Sequence, residues 1–349
     1  METKIINKQD LAKLIDGLIS AGARTVAPVK VGQMHLFQEV RSPAEAVFDY
    51  FLARRSPKEF LFPQTEPIFS YTRQKDSVKI HPVDMAFPRT VVFGLRPCDA
   101  AGPGILDALF AWDYEDKFWF NRREQTAFVS MTCAQADHAC FCSSVGLSPD
   151  AADTGADLHL TLLDDGQRYF VEAPTGKGKK LVSEFPSLFK PATDSDAAAR
   201  GSAGEKAKGL ITRKLDLSNV KQWLGSHFTD ELWERLSAKC IGCGACAFEC
   251  PTCHCFDFQD EATPEGGVRC KNWDSCCIDN FTLHASGHNP RNIQHKRYRQ
   301  RIMHKFKYYI DKFGKTLCTG CGRCSRQCPV TLDIAEVLEN IAAKAASGS

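Results

Sequence analysis

The chain has 349 residues, enough for two domains and for a core that needs no covalent staples. With 44 Lys and Arg against 42 Asp and Glu, its charge singles out neither nucleic acid nor an acidic substrate. The outlier is cysteine, at 17 residues.

The first residues, METKIINKQDLAKLIDGLISAGA, form an amphipathic pattern broken by Lys and Asp. They show no unbroken apolar stretch and no small-residue cleavage site of the secretory kind. Nowhere does the chain approach the roughly 18 apolar residues of a membrane helix. These features place the chain in a reducing cytoplasm, where many cysteines mean metal rather than disulfides.

Ser42-Pro43-Ala44-Glu45 has the form of a capping box with Pro at the first helical position, and predicts a helix through AVFDYFLA. TVVFGL (90–95) and TAFVSMT (126–132) are short runs rich in Val, Phe and Thr and predict buried strands, with a helix over ILDALFAW between them. LHLTLL-DDG-QRYFVEA predicts a hairpin. Thr175-Gly-Lys-Gly-Lys-Lys lacks full phosphate-loop spacing and reads as a basic turn. Residues 191–213 are small, polar and free of aromatics, and read as a linker or a long surface excursion. Beyond them DLSNVKQWLGSHFTDELWERLSAK, PRNIQHKRYRQRIMHKFKYYIDKFG and TLDIAEVLENIAAKAA carry helical periodicity. The expected organisation is an α+β/α two-domain chain. An N-terminal α/β domain (1–190) and the linker (191–213) precede an α-helical dicluster ferredoxin domain (214–349).

The ferredoxin reading rests on an internal repeat. CIGCGACAFECP at 240–251 returns as CTGCGRCSRQCP at 318–329 with identical spacing. In each copy three thiolates at x2 spacing can reach three corners of one iron–sulfur cube, and the fourth, before Pro, reaches the other cube. Cys240, Cys243, Cys246 and Cys328 are therefore expected to hold one [4Fe–4S] cluster. Cys318, Cys321, Cys324 and Cys250 are expected to hold a second. Gly242, Gly244, Gly320 and Gly322 suit backbone angles that other residues resist. Zinc also uses Cys-x2-Cys, but has no need of four cysteines per run, the trailing Pro or a faithful second copy.

Cys98 follows the first buried strand, whereas Cys133, Cys140 and Cys142 follow the second. In a parallel βαβ unit both loops open at the carboxyl edge of the sheet, where open α/β folds put their ligands. These four thiols suggest a third [4Fe–4S] cluster, with zinc or simply buried thiols as alternatives. Five cysteines remain. Cys253, Cys255 and Cys276 suggest a fourth metal site completed by His254, His284 or His288, while adjacent Cys276 and Cys277 cannot easily serve one cube. Cys270 and Cys277 stay unassigned.

Residues 289–315 hold nine Lys or Arg against Asp311 alone, over apolar positions Ile293, Ile302, Phe306, Ile310 and Phe313. This basic amphipathic helix suits cluster tuning or docking on an acidic partner. Nucleic acid is not expected, because no aromatic stacking platform accompanies the charge. Asp99 reads as a helix cap. Trp112, Trp119, Trp223 and Trp233 read as core or interface anchors.

With these motifs in hand, the chain resembles the iron–sulfur β subunit of cytoplasmic sulfhydrogenases and the related A subunit of anaerobic sulfite reductases. The likeness runs through APVK (27–30), FGxxxCDxxG (93–102), CxxxxxxCFC (133–142) and APTG (173–176), then CPTCHCFDFQD, NWDSC, GHNPR and CTGCGRC. It implies an electron-transfer subunit of a soluble, anaerobic multisubunit oxidoreductase. In that setting it stands between a flavoprotein that handles a pyridine nucleotide and a catalytic subunit of hydrogenase or sulfite reductase type. The positions of Cys253, Cys255 and Cys276 belong to the pattern it implies. A heterodisulfide-reductase-like flavin complex is the alternative setting, and a zinc-stabilised scaffold without redox activity is the rival of another class. A reductase with its own flavin is disfavoured by the lack of a dinucleotide fingerprint.

Overall fold

The computed structural model describes residues 2–347; Met1, Gly348 and Ser349 lie outside the described residues. Its strands in chain order are β1 (Glu2–Asn7), β2 (Arg24–Val31), β3 (Met34–Glu39), β4 (Thr65–Gln74), β5 (Ser77–Pro82) and β6 (Thr90–Leu95). They continue with β7 (Thr126–Met131), β8 (Leu158–Leu162), β9 (Arg168–Ala173), β10 (Lys190–Pro191), β11 (Phe256–Thr263) and β12 (Gly266–Trp273).

The two runs expected as buried strands are β6 and β7, and every residue in both is buried. Continuous apolar runs suit the centre of a sheet covered on both faces. They sit in an eight-stranded sheet of order β10-β1-β9-β8-β7-β6-β2-β3, in which β2, β6, β7 and β8 run parallel. Val91 and Phe93 pack on the face covered by the helix Asp10–Ser20. Val92 points to the opposite core with Leu106, Phe110 and Trp119. The expected β8–β9 hairpin is present, turning through Gly166 at φ 66°.

The link between β6 and β7 fixes the functional edge. Pro97 starts the helix Pro97–Phe110, and a second helix, Lys117–Gln125, leads into β7. Cys98 and Cys133 thus leave the same sheet edge, as the βαβ reading requires.

Several expectations are corrected. Ser42 caps only a three-residue 3-10 turn, Pro43–Glu45, and the chain then continues without a helix. Its cap is formed locally, with Ser42 Oγ accepting from the Ala44 amide and Glu45 from the Arg41 amide. Thr175 caps a helix, Gly176–Glu184, where a turn was expected. Residues 191–213, read as a linker, contain the 16-residue helix Asp194–Gly209. Thr193 and Asp196 close a reciprocal capping box at its start, and Arg200 bonds Glu172 and Asp150 of the sheet domain. Small residues here permit close packing on β8 and β9, so low aromatic content marks a thin helix rather than loose chain.

The second half is also less helical than expected. The insertion between the cysteine runs contains the hairpin β11–β12, and β12 pairs antiparallel with β4 in a sheet of order β11-β12-β4-β5. A strand from before residue 75 and a hairpin from after residue 255 therefore share one ladder. The remainder is helical, with Val220–Ser226, Leu232–Ser237, Gln294–Met303 and Ile334–Ser347 packed around Trp223, Trp233, Ile302, Phe306 and Leu338. Trp119, Trp223 and Trp233 are buried, whereas Trp112 is exposed.

Candidate iron–sulfur centre

The two copies of the repeat adopt the same local structure. Gly242 and Gly244 have φ of 71° and 74°, and Gly320 and Gly322 have φ of 61° and 70°. This left-handed region favours glycine. Each pair curls the run around its thiols and opens a four-residue helix, Ala245–Phe248 or Arg323–Arg326. Cys240, Cys243 and Cys246 line one enclosed pocket with Cys328 from the other copy, beside Tyr298 and Arg301. Reciprocally, Cys318 is buried facing Cys250 and Cys324. Cys277 and Cys324 line the first pocket as well, so the structure brings the thiols of both runs together, with Cys328 beside the first run. Backbone and side-chain N–H groups point at their sulfurs: Gln294 Nε2 at Cys240 (3.1 Å), Gly320 N at Cys318 (3.4 Å) and Leu332 N at Cys328 (3.2 Å).

The first-domain cysteines meet this repeat directly. Cys98 is buried with Cys133 and Cys321 as neighbours, and Cys142 with Cys140 and Cys321. Phe141 N donates to Gly320 O at 2.9 Å, and the Phe141 side chain is fully buried in the helical core. A Cβ on Gly320 would lie 2.6 Å from the Cys142 Cα, and one on Gly322 would lie 2.4 Å from Ala139 O. The absent side chains let the loop 139–142 rest on the second run. We expect Gly320→Ala to cost about 1–2 kcal/mol through its backbone angle alone. It should also lift this loop, lowering the melting temperature and the iron content of the chain. Unchanged melting and iron content would refute the close approach.

Two ion pairs lock this junction. Arg323, between Gly322 and Cys324, makes a bidentate bridge to Asp99 at 2.5 and 3.0 Å, and donates to Ala53 O at 2.9 Å. Both side chains are at most 1% exposed. Asp99 Oδ2 also accepts from the Arg96 amide, so the expected helix cap holds and gains a second task. Arg326 pairs with Asp137 and donates to Cys140 Sγ at 3.0 Å. Sequence reasoning missed these arginines, although both lie inside the second cysteine run.

The remaining thiols continue from the first run. Cys246 Sγ and Cys277 Sγ are 4.0 Å apart. Cys276 lies beside Cys255 and Cys277, while Cys253 lies beside Cys250. Of the histidines considered, His254 is buried against His304 and bonded to Thr252 O. Burial pushes its pKa down to about 3. His284 and His288 are exposed and contact one another. The thiol of Cys277, left unassigned from sequence, lines the pocket of Cys240, Cys243, Cys246 and Cys328. Cys270 lies buried in β12.

Three buried cations surround these sulfurs. Lys305 donates to Cys250 Sγ (3.3 Å), Thr252 Oγ1 (3.2 Å) and Leu317 O (2.8 Å). Arg301 donates to Cys253 Sγ at 3.3 Å, and its buried Nη2 has no partner. Lys58 donates to Ala247 O and Cys253 O and lies over the Trp273 ring. Among the described residues, no carboxylate lies within ion-pair distance of the three. Burying uncompensated cations is strongly unfavourable, so their counter-charge must come from the sulfurs. Burial pushes the Cys133, Cys142 and Cys318 thiols up to about 12 and Cys324 to about 11, so without a bound cation they stay neutral. A coordinating thiol is instead deprotonated outright. Thiolates holding a net-negative iron–sulfur group would supply the missing charge, so the residues present fit such a group. Among the described residues, no three His, Cys, Asp or Glu side chains are grouped as for a single metal ion.

The basic segment is built to deliver two of these cations inward. The helix Gln294–Met303 is followed by a π turn, His304–Tyr308, before α-helix resumes at Tyr309–Phe313. Such turns redirect side chains and recur at functional sites. Arg301 and Lys305 are each 2% exposed, beside the apolar Ile302 and Phe306. The basic helix, expected to tune clusters or dock on a partner, therefore turns part of its charge inward. Among the described residues, no helix is long and apolar enough to cross a membrane.

Comparison with known proteins agrees with the geometry. Residues 239–332 match the family model described as a 4Fe-4S dicluster domain. The chain is 31% identical over 319 residues to sulfhydrogenase 2 subunit beta of Pyrococcus furiosus, a match that covers 91% of this chain and 92% of that one.

Proposed function

Because the chain belongs to the family of sulfhydrogenase β subunits, we propose that it is the iron–sulfur relay subunit of a cytoplasmic, anaerobic multisubunit oxidoreductase. A flavoprotein linked to a pyridine nucleotide stands on one side, and a catalytic subunit of hydrogenase or sulfite reductase type on the other. Bound in the cysteine sites, [4Fe–4S] clusters supply single-electron exchange. The carrying observation is the crossed grouping of the repeat, in which Cys328 lines the pocket of Cys240, Cys243 and Cys246.

On this reading Cys240, Cys243, Cys246 and Cys328 hold one cluster and Cys318, Cys321, Cys324 and Cys250 the second. Cys98, Cys133, Cys140 and Cys142 hold a third. A further metal site draws on Cys253, Cys255 and Cys276. The chain's own residues position these thiols: the glycine pairs fold the runs, Phe141 plugs the first-domain loop into the helical core, and the Asp99–Arg323 pair joins the two halves. The first-domain set abuts the second run, and the second run abuts the first, whose Cys243 is exposed. That exposed thiol marks the side from which a partner's redox centre can approach.

Oxygen-free purification of the tagged chain from its native host tests the proposal. The expected material is brown, bleaches with dithionite and brings a flavoprotein and a second redox subunit with it. Colourless protein containing stoichiometric zinc would favour the scaffold alternative and overturn the relay.

A further inference from the structure

The cations around the three cubane sites are distributed unevenly. At the first-domain set Arg323 and Arg326 are met by the carboxylates of Asp99 and Asp137, which leaves one buried cation there without a carboxylate, Arg96, whose guanidinium donates to the Tyr50, Phe51 and Thr132 carbonyls. The pocket of Cys240, Cys243, Cys246 and Cys328 has an exposed cysteine and a neutral donor, Gln294, and shares Arg301 at its inner wall. At Cys250 and Cys318, by contrast, Lys305 and Arg301 are buried with no carboxylate partner among the described residues. The nearby acid Glu249 faces Arg54, Arg55, Arg323 and Lys58 instead.

Position gives this imbalance a consequence. Cys321 neighbours the first-domain thiols Cys98 and Cys142, whereas Cys324 and Cys250 neighbour Cys246. The set of Cys250, Cys318, Cys321 and Cys324 is therefore central. Adding an electron to an iron–sulfur group adds negative charge, and burial disfavours that addition. Fixed cations and N–H donors to sulfur favour it. Lys305, a direct donor to Cys250, acts against the burial term at this site, and Arg301, which faces Cys246 and Cys253 as well as Cys324 and Cys250, adds to it.

We propose that Lys305 and Arg301 make this central site the electron-holding node of the chain, the first of its iron–sulfur sites to be reduced. The proposal rests on the ligand reading above and adds an order of filling. A central node of higher potential lets one electron wait inside the subunit while an outer site receives the next. It thereby suits a relay between a two-electron donor and one-electron steps.

The test is a redox titration of oxygen-free protein followed by electron paramagnetic resonance, with iron and sulfide measured on each sample. In Lys305→Met the midpoint of the first signal should fall by at least the equivalent of a tenfold change in the reduction equilibrium, about 59 mV for one electron. Lys305→Arg should restore most of it. Lys307→Met, on the outward side and paired with Asp311, should leave it unchanged. If Lys305→Met fails to assemble, Arg301→Gln reads the same effect. The unaltered protein gives an independent reading, because its first signal should survive Cys98→Ala and be lost or displaced in Cys318→Ser. Full iron content with an unchanged midpoint, or a first signal that disappears in Cys98→Ala, overturns the proposal alone. Iron-free protein would remove the ligand reading beneath it.

Discussion

If the three proposed cubane sites are filled, chain purified without oxygen should contain about twelve iron and about twelve acid-labile sulfide atoms, with more if Cys253, Cys255 and Cys276 also bind metal. Replacing Cys98 by Ala should remove about four of each, together with one paramagnetic signal, and leave the ferredoxin pair intact. The selectivity follows from placement. Cys98 sits on the first turn of the helix after β6, and it reaches the repeat only through Cys321 and the Asp99–Arg323 bridge. Its loss leaves Gly242, Gly244, Gly320 and Gly322, and hence both folded runs, unaltered. About eight iron in the unaltered chain would mean that the first-domain thiols hold no cluster. An unchanged spectrum in the variant would mean that Cys98 is not a ligand.

The second large effect is expected at the bridge itself. Asp99→Asn should destabilise the chain by about 3–5 kcal/mol, because it leaves the Arg323 guanidinium buried beside a neutral amide. That is a large share of the roughly 5–15 kcal/mol that keeps a typical domain folded. The double replacement Asp99→Leu with Arg323→Met removes both charges and should recover much of the loss, as paired apolar substitution does elsewhere. Denaturant melts of the single and double variants measure the coupling. Near-additive losses would show that the two side chains act independently and that the bridge does not join the halves.

The metal-binding core of this protein was legible from residue spacing, because x2 intervals and a trailing proline are local constraints imposed by a cube. The placement of Cys98 opposite Cys133 was legible for a different reason. Two continuous apolar runs separated by a helix leave one economical topology, and that topology has a defined edge. The cations escaped because burial of Lys58, Arg301 and Lys305 depends on segments far apart in sequence. Periodicity gave 289–315 as a basic amphipathic helix suited to cluster tuning or docking but did not single out which cations turn inward, a choice made by the π turn and the sulfurs beneath it. The β11–β12 hairpin was missed because its strands alternate weakly and carry Asp, Glu and Lys. Its partner is β4, almost two hundred residues upstream, and that pairing completes its backbone ladder. The helix Asp194–Gly209 shows the converse error: a composition of small and charged residues is compatible with disorder in isolation, but the capping box and Arg200 commit it to the sheet.

The crossing of the two runs bears on how such a protein matures. While a ribosome has yet to add Cys318, neither pocket of the repeat has its complete set of donors. Cys328 is still missing from one and three of four thiols from the other. Any cofactor loaded at that stage would sit in an open, oxygen-accessible half-site. Delivery by the assembly machinery is therefore best timed after both runs have left the exit tunnel.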